Sequence, residues 1–184
     1  MPKVIGGMTI SLDGFINDRH GDVSRLYPDL PELAETGLLQ ESMRTTGAVV
    51  MGRRTYEMGN GDYTGYEYQV PIFVITHEAP AQAAKGENDK LSFTFVTGGP
   101  ESAVEQAKAA AGEQDVVVVG GASTTQQCMN AGLLDELQVG IMPVLLGDGQ
   151  RLFERLEAEK IELARVRTIE GPAGRIDLVL RVVK

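Results

Sequence analysis

The sequence has no tryptophan, one cysteine, two histidines, an aromatic content of only 5% and no long apolar run. A single Cys128 cannot form an internal disulfide, which fits a reducing compartment. No window approaches the ~20 apolar residues of a membrane helix, and the opening MPKVIGGMTISLDG carries no small-residue cleavage pattern. His20, His77 and Cys128 show no metal-ligand spacing. The Rossmann G-x-G-x-x-G, the P-loop G-K-S/T and the nucleophile elbow G-x-S-x-G are all missing. Basic residues are the scarcer charge, 17 against 26 acidic ones, for a net charge of −9. Such a surface repels phosphate backbones and excludes nucleic acid as a partner. Together these absences predict a cytoplasmic protein with no membrane, no nucleic acid and no metal, whose ligand is a small molecule.

What is present suffices for a core. The 184 residues are 42% hydrophobic and 23% charged, with 22 glycines, which suits a single domain over residues 1–184. The apolar runs are short and mostly do not alternate. Strands are expected at Val4–Ser11, Ala48–Met51, Pro71–Ile75, Phe93–Val96, Val116–Val119, Glu136–Leu146, Glu162–Glu170 and Arg175–Val183. Helices are expected at Leu30–Arg44, Arg53–Met58, Glu101–Ala111 and Thr124–Ala131, with a helical turn at Leu152–Leu156. Continuous apolar runs describe strands buried on both faces, hence a parallel sheet between helix layers. Arg175–Val183 alternates better and follows a Gly-Pro-Ala-Gly turn, as an antiparallel hairpin should. The expected fold is α/β: three layers around a mixed, mostly parallel sheet of about eight strands with an antiparallel C-terminal edge.

Two junctions carry ligand-binding chemistry. In VVVVGGASTT a buried strand ends at Gly120-Gly121, and Ser123 and Thr124 stand where a helix N-cap belongs. Glycine permits close backbone approach, and a helix N-terminus supplies unpaired N–H donors to an anion; a plain Gly-Gly turn is the competing reading. The second junction is Gly52-Arg53-Arg54-Thr55, a glycine turn opening a helix with two guanidiniums. Two such junctions on parallel strands open on one sheet edge, where one diphosphate spans both.

The stretches MTISLDGFI (Met8–Ile16), VVMGRRTYE (Val49–Glu57), PIFVITH (Pro71–His77), VVVVGGAS (Val116–Ser123) and LLDELQVGIMPVLLGDGQRLF (Leu133–Phe153) occur in that order. Together they resemble the dihydrofolate reductase-like superfamily, and most closely the reductase domain of bacterial riboflavin biosynthesis and its free-standing relatives. The resemblance spans nearly the whole chain. It implies an eight-stranded sheet binding NADPH across the carboxyl ends of its strands. By position, Gly52, Arg53, Arg54 and Thr55 fall on the loop for the pyrophosphate and adenosine side. Thr76 and His77 fall on the adenosine 2′-phosphate site, and Gly120, Gly121, Ala122, Ser123, Thr124 and Thr125 on the diphosphate loop. Ile10 falls beside the nicotinamide, and relatives in this branch commonly form homodimers, here expected through the C-terminal strands.

Departures from the family matter equally. The acidic proton donor of folate enzymes has no clear counterpart, with Asp29, Glu32, Glu35 and Glu41 all near its place. Asp13 is the remaining polar catalytic candidate, with turn formation at Asp13-Gly14 as its other reading. No basic cluster for a ribose phosphate is visible. Tyr63, Tyr66 and Tyr68 sit in a glycine-rich loop that either covers a ligand or caps its own domain. The expected activity is NADPH-dependent hydride transfer to a C=N or C=O of a small pyrimidine- or pteridine-like, or sugar-like, substrate. A dihydrofolate reductase and a non-catalytic NADP-binding sensor or scaffold are the alternatives.

Overall fold

Runs such as AVVM and VVVV lack polar positions because both faces of their strands are covered. The computed structural model describes residues 2–28 and 30–183. In chain order it contains β1 (Val4–Ser11), α1 (Leu30–Ala34), α2 (Gly37–Thr45), β2 (Thr46–Gly52), α3 (Arg53–Met58), β3 (Ile72–Ile75) and β4 (Phe93–Val96). Then follow α4 (Gly99–Ala111), β5 (Asp115–Val118), α5 (Ala122–Asn130), β6 (Glu136–Met142), β7 (Glu162–Glu170) and β8 (Ile176–Val183). The strands form one sheet in the order β4-β3-β2-β5-β1-β6-β8-β7. β4 through β6 in that order are parallel neighbours, while β8 runs antiparallel to both β6 and β7. This is the expected mostly parallel sheet with an antiparallel edge.

The two faces carry separate cores. α4 and α5 pack over Val4, Val50, Phe73, Val116 and Val118 through Ala103, Val104, Ala107 and Met129. Small alanines on α4 let the helix approach the sheet closely. On the other face, Val49, Met51, Ile72 and Val74 meet Tyr56 of α3, Leu39 and Met43 of α2, and the loop after α3.

Several expected boundaries move. The helix expected over Leu30–Arg44 is two helices, because Thr36 adopts an extended conformation and caps α2 by accepting from Leu39 N. β6 stops at Met142 rather than Leu146, since Pro143 has no N–H for the ladder. The turn expected at Leu152–Leu156 does not form: Arg155 has φ +54°, and the Asn130 side chain satisfies Arg155 O and Glu157 N instead. A short 3-10 turn follows at Ala158–Lys160. β8 covers β6, and β7 is the outer strand.

The tyrosine loop caps its own domain. Tyr63 and Tyr68 are buried, and the Tyr56 and Tyr63 rings stack at 5.6 Å. Tyr63 donates its hydroxyl to Tyr56 O at 3.0 Å, and Tyr68 Oη lies 2.9 Å from Ser42 Oγ. Removing a buried aromatic of this size costs about 3–5 kcal/mol. Tyr63→Ala is therefore expected to lower the urea midpoint strongly. Tyr63→Phe, which loses one hydrogen bond, should cost about 1 kcal/mol.

Candidate active site

Parallel pairing of β2 with β5 puts their carboxyl ends side by side, with Val50 opposite Val118. Gly52 N donates to Gly120 O at 2.7 Å, so the two glycine turns are joined directly. Gly52 must be glycine, because a Cβ there would overlap Thr124 Oγ1. Gly120 has φ +105°, and a Cβ there would lie 2.5 Å from Met8 Sδ. The Gly120–Gly121 peptide is cis. Gly121 itself is extended, and the nearest atom to a Cβ built on it is Thr55 Oγ1 at 3.5 Å. Left-handed backbone is thus needed at Gly120, while a Cβ on Gly121 would make only ordinary van der Waals contact, with Thr55.

The start of α5 carries unpaired donors. α5 begins at Ala122 with Gly121 as its N-cap, so no side chain caps it. The expected caps Ser123 and Thr124 lie inside the first turn, because the helix begins at Ala122, earlier than the sequence pattern implies. The N–H groups of Ala122, Ser123 and Thr124 precede the first intrahelical bond and have no acceptor among the described residues. Thr125 lies fully buried beneath them, and its hydroxyl has no partner among the described residues.

Of the flanking cations, Arg53 is committed: its Nε donates to Glu57 at 2.7 Å. Glu57 beside it, with Glu78 nearby, raises its pKa. Arg54 is exposed and makes no ion pair among the described residues. Thr76 follows β3 next to this junction, but it is buried and its hydroxyl donates to Glu78 O at 2.7 Å. His77 is exposed beside it. The Ile10 side chain is buried in the core that α4 and α5 cover.

Asp13 serves the loop after β6. Its carboxylate accepts from Ser11 Oγ at 2.6 Å, Leu146 N at 3.1 Å and Gly147 N at 2.7 Å. The Ser11 bond first, then the two backbone N–H groups, hold its pKa down to about 2. A group so ionised at neutral pH has no proton to deliver, so its geometry is that of an anchor. Of the acidic donor candidates, Glu41 pairs with Arg167 at 2.9 Å, which lowers its pKa. Glu32 and Glu35 are exposed, and Asp29 lies outside the described residues. Cys128 is buried, and burial pushes its thiol up to about 12, which removes it as a nucleophile.

The model of the RibD C-terminal domain family matches residues 2–172. The chain belongs to that family. It is 25% identical over 183 residues to the uncharacterised protein YyaP of Bacillus subtilis, covering 96% of this chain and 93% of that one. A protein assigned to riboflavin biosynthesis from Shewanella sp. PV-4 superposes with a TM-score of 0.80 over 99% of both chains at 23% identity. A diaminohydroxyphosphoribosylaminopyrimidine deaminase/5-amino-6-(5-phosphoribosylamino)uracil reductase from Thermotoga maritima gives 0.73 at 13% identity, over 99% of this chain and 57% of that one. Dihydrofolate reductase from Enterococcus faecalis, complexed with NADP(H), gives 0.65 at 17% identity over 99% and 97%. The fold is therefore dihydrofolate reductase-like, and the family is that of the riboflavin-biosynthesis reductase domain.

The Asp13 anchor is expected to be pH-dependent. Its folded pKa of about 2 lies below the unfolded value near 3.9, so its stabilisation is complete above about pH 4. It fades as pH falls toward 2. Urea unfolding of wild type and Asp13→Asn should differ at pH 7 and converge as the pH is lowered to 2.5.

Proposed function

We propose that the protein is an NADPH-dependent reductase of a small pyrimidine-like heterocycle, with its cofactor across the joined turns of β2 and β5. The observation that carries this reading is the uncapped start of α5, whose unpaired N–H groups follow directly on the joined glycine turns. A diphosphate is the group such donors suit, because each N–H gains an anionic acceptor and the helix dipole favours negative charge. Gly52–Thr55 and Gly120–Thr125 hold the diphosphate from two sides. Arg54 and His77 stand toward the adenosine 2′-phosphate, with Thr76 shaping the turn between them. Backbone at Ile10 borders the nicotinamide end. Bound NADPH supplies the hydride to the C=N or C=O of the substrate. The protein orients the two reactants and excludes water, which converts a bimolecular reaction into a local one. Asp13 contributes as a positioning residue by fixing the loop at Leu146 and Gly147. The RibD C-terminal family supports the reductase class, and the lone buried Cys128 supports a cytoplasmic setting.

A two-fold homodimer through β7 is part of the same proposal. β7 is an outer strand, and Leu163, Val166, Ile176 and Val183 on the β7–β8 ribbon are exposed apolar side chains. An uncovered apolar edge invites pairing with a second copy. Light scattering at micromolar concentration should give twice the chain mass, and a monomer mass overturns the dimer.

Gly121→Ala tests the cofactor site directly. Its φ of −72° suits alanine, so the melt should stay near the wild-type midpoint. Saturation at about 100-fold above Kd stabilises wild type by about 2.7 kcal/mol. The variant should lose most of that NADPH-induced shift. A shift of wild-type size in the variant means that Gly121 is only a turn. Calorimetry should also show NADPH binding more tightly than NADH, with the gap shrinking as salt is added. Arg54→Ala should bring the two affinities together, and Arg53→Ala should change them less because Glu57 already occupies that guanidinium.

A further inference from the structure

α5 holds more than the glycine turns. One helical turn after its uncapped start, the buried side chain of Gln126 reaches the chain that follows β6. Gln126 Nε2 donates to Arg151 O at 3.0 Å and to Leu152 O at 2.9 Å. Neither carbonyl accepts a backbone bond among the described residues. The other buried side chains of α5 include Ala122, Cys128 and Met129, and an apolar residue at 126 would pack among them without the cost of burying an amide.

The segment that Gln126 holds braces the turn at the carboxyl end of β1. Gly14 N donates to Ser11 O and Ser11 N to Phe15 O, both at 2.9 Å, which closes that turn on itself. Ile16 N donates to Gln150 O at 2.8 Å, and Leu152 N to Gly14 O at 3.1 Å. The Arg151 guanidinium stands 4.3 Å over the Phe15 ring and donates through Nη1 to Asp13 O at 3.0 Å. Residues 150–152 thus grip the turn on one side and are gripped by α5 on the other. The tip of the turn, Leu12, is 66% exposed, so this bracing does not serve to bury it.

We infer that Gln126 is a positioning residue of the reaction: acting through Arg151 and Leu152, it fixes the turn after β1 at a set distance from the diphosphate-binding start of α5. The inference rests on the reductase reading, in which the nicotinamide end lies beside β1. A cofactor held by its diphosphate at α5 meets the protein again at the end of β1. The spacing of those two places then decides how the reactive end is seated, and small misplacements there are costly. Gln126 joins the two with hydrogen bonds from one buried amide.

Calorimetry with NADPH and with 2′-phosphoadenosine diphosphoribose, which lacks the nicotinamide, tests the role. Wild type should bind NADPH at least about tenfold more tightly than the fragment. Gln126→Met should weaken NADPH toward the fragment and leave the fragment's affinity unchanged. Arg151→Met, at an exposed position, should do the same, and it decides the matter if Gln126→Met fails to fold. Asn130→Ala frees the same connection farther along, at Arg155 and Glu157, and should lower the melt without changing the ratio. In the cofactor-free protein, amide hydrogen exchange at Phe15 and Ile16 should quicken in Gln126→Met and Arg151→Met but not in Asn130→Ala. An equal loss for both ligands means that Gln126 only supports the helix, and it overturns the inference. A retained ratio in the folded variants, equal binding of the two ligands by wild type, or unchanged exchange at the turn does so too. No binding of either ligand by wild type overturns the role together with the reductase reading, whereas each of the other adverse results leaves that reading standing.

Discussion

The parallel pairing of β2 with β5 is the constraint on which the rest depends. Residues 46–52 and 115–118 are far apart in sequence, and nothing local brings their turns together. Once they pair, Gly52 N meets Gly120 O, Thr124 packs over Gly52, and Thr55 faces Gly121. A side chain at Gly52 would part the two turns, and one at Gly120 would collide with Met8 of the neighbouring strand. The close junction of the two turns at the start of α5 is the direct consequence of three small contacts made tightly.

A net charge of −9 and an anion-binding edge are compatible because the two operate at different ranges. The diffuse negative field is screened by salt within about 10 Å. The N–H groups at the start of α5 act at contact distance, and their alignment adds a favourable dipole. The acidic balance is felt where guanidiniums stand free. Arg53 is drawn into a pair with Glu57, and Arg167 into one with Glu41, which leaves Arg54 exposed beside the turns.

Carboxylates do three different jobs in this chain, and their surroundings decide which. Asp13 is wrapped by a hydroxyl and two backbone N–H groups, so it remains ionised and ties the loop after β6 to the end of β1. Glu57 and Glu41 sit on exposed helix faces and neutralise arginines. Asp177 is buried next to Arg175 above a strand glycine, where a carboxylate is retained only at a cost. Aromatic side chains show the same dependence on context: the loop tyrosines that resemble a ligand lid pack against Tyr56, Phe93 and Leu39 instead.

The sequence by itself determined the fold class, the antiparallel edge and the two glycine-to-helix junctions, because apolar runs without alternation and glycines before helices are local signals. It also carried the family, through five segments in register. Tertiary structure decided what needs partners distant in the chain. Asp13 became an anchor only when Leu146 and Gly147 arrived at it, and the helix caps moved once Gly121 stood alone before α5. β6 proved interior because β8 inserted between it and β7, a strand order that no periodicity encodes. The burial of Arg175 and Asp177 was likewise invisible: RIDLVLRVV shows only the alternation of a hairpin strand, and the two side chains lie against Gly140 and Gly171, far away in sequence or across the turn.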